Sequence, residues 1–192
     1  MSSSQPTQRL APIGRTSRPI PAFDLLAFDP GGTTGWAHVH CDGGMPSDLT
    51  LDDFRLEVGD LGPGEHHNEL YRFIGSYYVA YSDTLRLVTE AFNFRQHATD
   101  DKGNGGKAKV ELISCEYIGV IKLFGERYEI PVASYNSSEG KGFATDLKLE
   151  AMGWFQTPKT TKRHRNDAIR QAVCYMVKKL HIHSPITDSW RG

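Results

Sequence analysis

The stretch 25–37, Leu-Leu-Ala-Phe-Asp-Pro-Gly-Gly-Thr-Thr-Gly-Trp-Ala, constrains the fold more than any other part of the chain. An apolar run ends on a carboxylate at Asp29, turns through Pro-Gly-Gly, and re-enters an apolar run at Trp36. The pattern predicts a strand over 23–28, a tight turn, and a second strand over 36–41. An aspartate at the end of a buried strand is costly unless a cation compensates it, and a bound metal is a common solution. Asp before Pro-Gly also favours a tight turn on its own account. The metal reading therefore depends on what the rest of the chain brings to Asp29.

Downstream, alternation over 49–58 predicts a half-exposed third strand, followed by a loop over 59–64. Leu70, Phe73, Ile74, Tyr77 and Tyr81 recur at helical spacing and predict a helix over 67–81. A short buried strand over 85–89 ends on Glu90. The polar, Gly-rich stretch 96–106 reads as a loop. Val110, Ile113, Tyr117, Val120, Ile121 and Phe124 define a second helix, and 129–134 a fifth strand. A Gly/Ser loop over 135–142 precedes a helix over 145–155. The last helix is expected over 164–180, with Ile169, Ala172, Val173 and Met176 on its apolar face. Hairpin-like strands followed by strands alternating with helices suggest an α/β fold, a mixed five-stranded sheet with helices on both faces.

Three acids sit at the start or end of apolar elements: Asp29, Glu90 and Asp167. Ends of neighbouring strands lie about 5 Å apart, so Asp29 and Glu90 meet if their strands are adjacent and parallel. His164 and Asp167 are three residues apart and share one helix face. Such a set repels or protonates unless divalent cations bind, and oxygen-rich sites of this kind hold Mg²⁺ or Mn²⁺. Two such ions about 4 Å apart clamp the attacking and leaving oxygens of an in-line phosphoryl displacement. In that reading Asp29 bridges both ions, Glu90 holds one, and His164 with Asp167 holds the other. Lys162, Arg163, Arg165 and Arg170 then grip flanking phosphates. Plainer roles exist for each: Glu90 could pair with Arg86 or Arg95, His164 could cap its helix or touch phosphate, and Asp167 suits a helix N-terminus electrostatically. Glu116 and Asp146 read as ordinary helix-surface acids.

The net charge of -1 hides a segregation. Residues 48–69 hold seven acids against Arg55 alone, whereas 158–181 hold seven Lys or Arg against Asp167 alone. The basic segment suits a polyanion, and the acidic one is expected to face away from it. No apolar run approaches the roughly 18 residues of a membrane span. Cys41, Cys115 and Cys174 form no CxxC pair, which argues against a zinc site or disulfide framework and fits a reducing cytosol. Residues 1–22 read as a disordered, weakly basic tail without a secretory signal. Residues 23–181 read as one folded domain and 182–192 as a C-terminal tail.

Phe28-Asp29-Pro30-Gly31 with Thr34-Gly35-Trp36-Ala37, Thr89-Glu90, and His164-Arg165-Asn166-Asp167-Ala168 resemble the three active-site blocks of RuvC-type Holliday-junction resolvases. Those are ribonuclease H-like, metal-dependent endonucleases, and the similarity is to the phage-borne branch. The resemblance implies a ribonuclease H-like sheet and a homodimer that cuts four-way DNA junctions by paired symmetric nicks, with two Mg²⁺ or Mn²⁺ per site. It also implies action in the cytosol of a bacterium or a phage-infected host. It assigns an aromatic that enters the junction to Phe92 or Phe94, with Arg95 beside them, and basic DNA contacts to Lys141 and Lys148. The 96–106 loop and Asn136-Ser137-Ser138 depart from the family pattern, which bears on substrate preference. The alternative within the same chemistry is a nuclease acting on flaps, other branched DNA or structured RNA. An actin-like or sugar-kinase ATPase uses a similar turn but needs a second nucleotide-binding lobe, for which 192 residues leave no room. A non-enzymatic junction binder would gain nothing from the buried acids. The helix over 110–124, with Leu112 and Ile118 off its main apolar face, is the expected dimer surface.

Overall fold

A computed structural model of the protein describes residues 18–62, 67–91, 105–157 and 163–191, with 105–112 and 191 as backbone only. Five strands form one sheet: β1 (Phe23–Asp29), β2 (Thr34–Cys41), β3 (Phe54–Leu61), β4 (Leu85–Glu90) and β5 (Val132–Tyr135), in the order β3-β2-β1-β4-β5. β1 pairs antiparallel with β2 and parallel with β4, and β4 pairs parallel with β5. The sheet is therefore mixed, as expected. β1 lies at its centre and every one of its residues is buried, because both faces are covered.

The strand period of two decides what each face holds. Phe23, Leu25 and Ala27 of β1 pack with Ala37, Val39, Cys41 and Val88 against α5 (His164–Lys178). Leu26 and Phe28 point the other way, into a second cluster with Leu70 and Ile74 of α1 (His67–Tyr81) and Ile121 and Phe124 of α2 (Gly105–Arg127). By this parity Asp29 and Glu90 belong to the α5 face. α3 (Ser137–Phe143) and α4 (Asp146–Ala151) lie on that same side, joined to α5.

Several expected boundaries differ. Residues 51–53 are a 3₁₀ turn, held by a reciprocal Thr50–Asp53 cap, so β3 starts only at Phe54 and runs through Gly59 to Leu61. Gly59 pairs with Trp36 in the ladder, and a Cβ there would stand 2.5 Å from the Trp36 ring, which lies across it. The 135–142 loop is instead largely the helix α3, and the helix expected over 145–155 ends at Ala151. Gly153, with φ +70°, turns the chain there. α2 begins at Gly105, inside the stretch read as a loop. Ile118, off the main apolar face of the expected helix, is buried, at 6% exposure.

The segment after α5 is packed, with Ile182 and Ile186 fully buried in the α5-side core. Ile20, within the stretch read as a tail, is buried too and forms a β-bridge with Gly44. At the end of the sheet far from Asp29, the buried Asp24 accepts from His38 Nε2 at 3.0 Å, His40 Nδ1 at 2.8 Å and Thr84 Oγ1 at 2.5 Å. No helix among the described residues is long and apolar enough to cross a membrane.

Candidate active site

The ladder between β1 and β4 sets Phe28 opposite Thr89, so Asp29 and Glu90 leave the sheet side by side. The chain then turns tightly after Asp29. Thr34 Oγ1 closes this turn by accepting from the Gly31 amide and donating to the Gly31 carbonyl, each at 3.4 Å. Gly35 follows on the α5 face. A Cβ at Gly35 would lie 2.2 Å from the His164 carbonyl carbon and 2.3 Å from its oxygen. The glycine is thus what lets the first turn of α5 rest on β2. That close approach carries His164 over the turn, where its Nδ1 lies 2.7 Å from Asp29 Oδ2.

Glu90 is largely enclosed at this spot. Burial comes first among the causes that push its carboxyl up to about 8, followed by its hydrogen bond to Asp29 and the Asp29 charge. Lys141 pulls in the opposite direction, and Asp167 adds a smaller upward push. A carboxyl that holds its proton against a neighbouring carboxylate marks a place where negative charge has accumulated without enough positive charge to balance it.

Asp167 approaches from α5 but is occupied. Its Oδ2 lies 3.3 Å from Lys141 Nζ, and its Oδ1 takes a hydrogen bond from Arg170 NH1. Among the described residues, no three His, Cys, Asp or Glu side chains close to a metal-holding arrangement. The donors are nevertheless of the kind a divalent cation requires: two adjoining carboxylates, an imidazole on one of them, and a third carboxylate nearby. Asp29, Glu90 and His164 are drawn together, and Asp167 is held beside them by two cations.

The residues expected on DNA fall into three groups. Phe92, Phe94, Arg95 and Lys162 lie outside the described residues. Lys141, Arg163 and Arg165 stand at the rim with half-exposed side chains, each on an acid: Asp167, Asp146 and Asp60 respectively. The Arg165–Asp60 pair, at 2.6 Å, also brings the middle of the acidic 48–69 segment against the basic one instead of facing it away. Lys148 and Arg170 sit differently from expectation. Lys148 Nζ donates to the Phe143 carbonyl at 2.7 Å and lies 4.2 Å from the Trp190 ring centroid. Arg170 is buried at 5% exposure, bound to Asp167, to Asp146 and to the Ala144 carbonyl, because α3 and α4 cover that face of α5. It is buried behind Asp167.

Two residues of the site's surroundings were not legible as such. Asp146, read as a helix-surface acid, is the shared acceptor of Arg163 and Arg170. Asn166 is 1% exposed; its Oδ1 accepts from the Gln156 amide at 2.9 Å and its Nδ2 donates to the Gln156 carbonyl at 2.8 Å. It pins α5 to the chain leaving α4. The only signal for it was an amide at the third position of an otherwise apolar or charged helix turn.

No protein-family model matches the chain, and no curated protein matches it. Among solved structures, the chain is similar to T. thermophilus RuvC in complex with a Holliday junction substrate. That match has a TM-score of 0.54 and 14% sequence identity, covering 83% of this chain and 97% of that one. A Thermus thermophilus RuvC structure matches with a TM-score of 0.51 and 17% identity, covering 83% and 98%. The likeness is one of fold, and the fold is the ribonuclease H-like α/β sheet.

Proposed function

We propose that the chain is a metal-dependent, structure-selective DNA endonuclease that resolves four-way junctions by paired nicks. The observation that carries this reading is the meeting of Asp29 and Glu90 at adjacent parallel strand ends, with His164 against Asp29. It is supported by a fold shared with a RuvC solved in complex with a Holliday junction substrate.

Asp29, Glu90 and His164 would hold Mg²⁺ or Mn²⁺, with Asp167 joining from α5. When bound, such ions would supply a water ionised at neutral pH and stabilisation of charge on the leaving oxygen. The chain's own residues prepare the place. Glu90, whose carboxyl is pushed up to about 8 by burial and by Asp29, would have to ionise to serve as a ligand to such an ion. Gly35 and the Thr34-closed turn fix the distance between Asp29 and His164. Lys141, Arg163 and Arg165 would take phosphates on either side of the scissile bond, where cationic side chains position the backbone without reading sequence. Two symmetric cuts require two such sites, so the acting species is a homodimer on branched DNA. A ribonuclease H-like nuclease acting on flaps or structured RNA would share the same carboxylates and differ in substrate.

The deciding experiment incubates wild type and Asp29→Asn with end-labelled four-way junction, flap, linear duplex and RNA–DNA hybrid in Mg²⁺, Mn²⁺ or EDTA. Paired symmetric nicks on the junction are expected, dependent on metal and absent from the variant although it still binds. Preferential cutting of flap or hybrid would reassign the substrate, and no cutting by folded, metal-supplied wild type would overturn the reading.

A further inference from the structure

The charged side chains behind the site form a single row. Arg163 NH1 donates to Asp146 Oδ2, and Asp146 Oδ1 accepts from Arg170 NH2. Arg170 NH1 donates to Asp167 Oδ1, and Asp167 Oδ2 lies 3.3 Å from Lys141 Nζ. The signs alternate along its length, and the row ties α3, α4 and the first two turns of α5 together. Arg170 is its middle member and its most enclosed one, with Nε fixed on the Ala144 carbonyl at 2.9 Å. Its planar fork is thereby shared among three acceptors.

How a guanidinium is shared decides how strongly each carboxylate is held. Screening by water is weak around a buried cation, so its whole charge acts on whatever carboxylate faces it. Asp146 takes one edge of Arg170, and Asp167 has the other. We propose that Asp146 is a positioning residue of the carboxylate site: by dividing the charge of Arg170 with Asp167, it leaves Asp167 able to turn to a divalent cation held by Asp29 and Glu90. This rests on the metal-site reading above. If Asp146 is made neutral, Arg170 pairs with Asp167 alone, and a cation must compete with the full ion pair for that carboxylate. Asp146 itself touches neither metal nor substrate in this scheme, and it acts only through Arg170.

The test is Mn²⁺ binding by DNA-free protein, read from the electron paramagnetic resonance signal of free Mn²⁺ well below each variant's Tm. Asp146→Asn is expected to raise the Kd for Mn²⁺ about threefold to tenfold, a change on the order of 1 kcal/mol. Asp146→Glu, which keeps the charge, is expected to restore most of the affinity. Glu139→Gln removes the same charge from α3, where it pairs with Lys178 outside the row, and is expected to leave the Kd within about twofold. Should Asp146→Asn not fold, Asp146→Ser provides the same removal of charge with room for water. Unchanged Mn²⁺ affinity in the folded neutral variant overturns the proposal, as does equal weakening by Glu139→Gln, which would make the effect one of net charge. Wild type that binds Mn²⁺ no better than Asp29→Asn would overturn the metal-site reading itself, a different and recognisable result.

Discussion

Asp29 and Glu90 belong to strands separated in sequence by two further strands and an α-helix, yet they end next to each other because β1 and β4 run parallel in register. Their common parity with Ala27 and Val88 turns both onto the α5 face. Asp29 is buried there and Glu90 half-buried. The proton that Glu90 keeps against Asp29 follows from this arrangement, and it has a consequence for stability.

Glu90 is held up to about 8 in the folded chain, from an ordinary value of 4.5. Below that ordinary value both folded and unfolded chains carry the proton, and the group takes nothing from stability. As pH rises from there to about 8 the unfolded chain ionises and the folded one does not, so stability falls. In EDTA, Glu90→Gln is expected to be more stable than wild type at pH 8 by roughly 1–2 kcal/mol, allowing for the partial exposure of the group. Melting from pH 5 to 8 should show this advantage growing with pH. A difference that stays constant across the range would mean that Glu90 is not the titrating group.

Gly35→Ala is expected to damage the site from a distance. Its Cβ would meet the backbone of His164 and Arg165, at 2.2–2.7 Å, and backbone cannot swing aside. The first turn of α5 must lift from β2, taking His164 off Asp29, at a cost of about 1–3 kcal/mol. Thermal melting together with Mn²⁺ titration checks this. A variant that keeps both its Tm and its metal affinity would show that α5 does not rest on Gly35.

The sequence made β1, β2, α1 and β4 legible because each carries one dominant signal. The Pro-Gly-Gly turn marks β1 and β2, helical spacing from Leu70 to Tyr81 marks α1, and the apolar run stopping at Glu90 marks β4. The expectation that Asp29 and Glu90 meet required only that their strands be parallel neighbours. α3 was hidden by its composition, since Ser137, Ser138, Gly140 and Gly142 argue for a loop. Its helix is stabilised by packing: Gly140 fits closely against Arg170 and Gln171. Arg170 was misplaced for the related reason that a charged residue near the start of a basic helix reads as solvent-facing. Only the folded chain shows that α3 and α4 cover it, with Asp146 of α4, the Ala144 carbonyl after α3 and Asp167 of its own helix taking the edges of its guanidinium. The packing of Ile182 and Ile186 was equally invisible, because two isolated isoleucines between polar residues have no period.

At the opposite end of the sheet, His40 is expected to titrate above its ordinary 6.5, chiefly through its hydrogen bond to Asp24, against the opposing effect of burial and with help from Asp42. The direction with pH is the same as at Glu90, because both folded values are raised, but here it is the charged form that the fold stabilises. The His40–Asp24 pair stabilises fully below the unfolded value and loses that contribution as pH rises through the folded one. Proton NMR of the His40 ring should show the raised midpoint, and Asp24→Asn should lower it. Asp24→Asn should also cost about 2–4 kcal/mol, since Asp24 is buried beneath three donors. A His40 midpoint indifferent to Asp24→Asn would contradict the pairing.

Trp190 is where the C-terminal segment meets the site's supporting helices. Its ring centroid lies 5.5 Å from that of Phe143 in an edge-to-face arrangement, and Lys148 Nζ stands 4.2 Å from its centroid. Lys148 also holds the Phe143 carbonyl, at the C-terminal end of α3, which bears Lys141 beside Asp167. Trp190→Ala is therefore expected to cost about 1–3 kcal/mol from lost ring packing and the lost cation–π contact. It should also loosen α3, while Trp190→Phe keeps most of the packing. Hydrogen exchange separates this from a local effect at the chain end: the amides of Gly140 and Ala144, which donate to Asn136 and Gly140 carbonyls, should exchange faster in Trp190→Ala. Unchanged exchange there, alongside a lowered Tm, would confine the role of Trp190 to its own segment and detach it from the helix that carries Lys141.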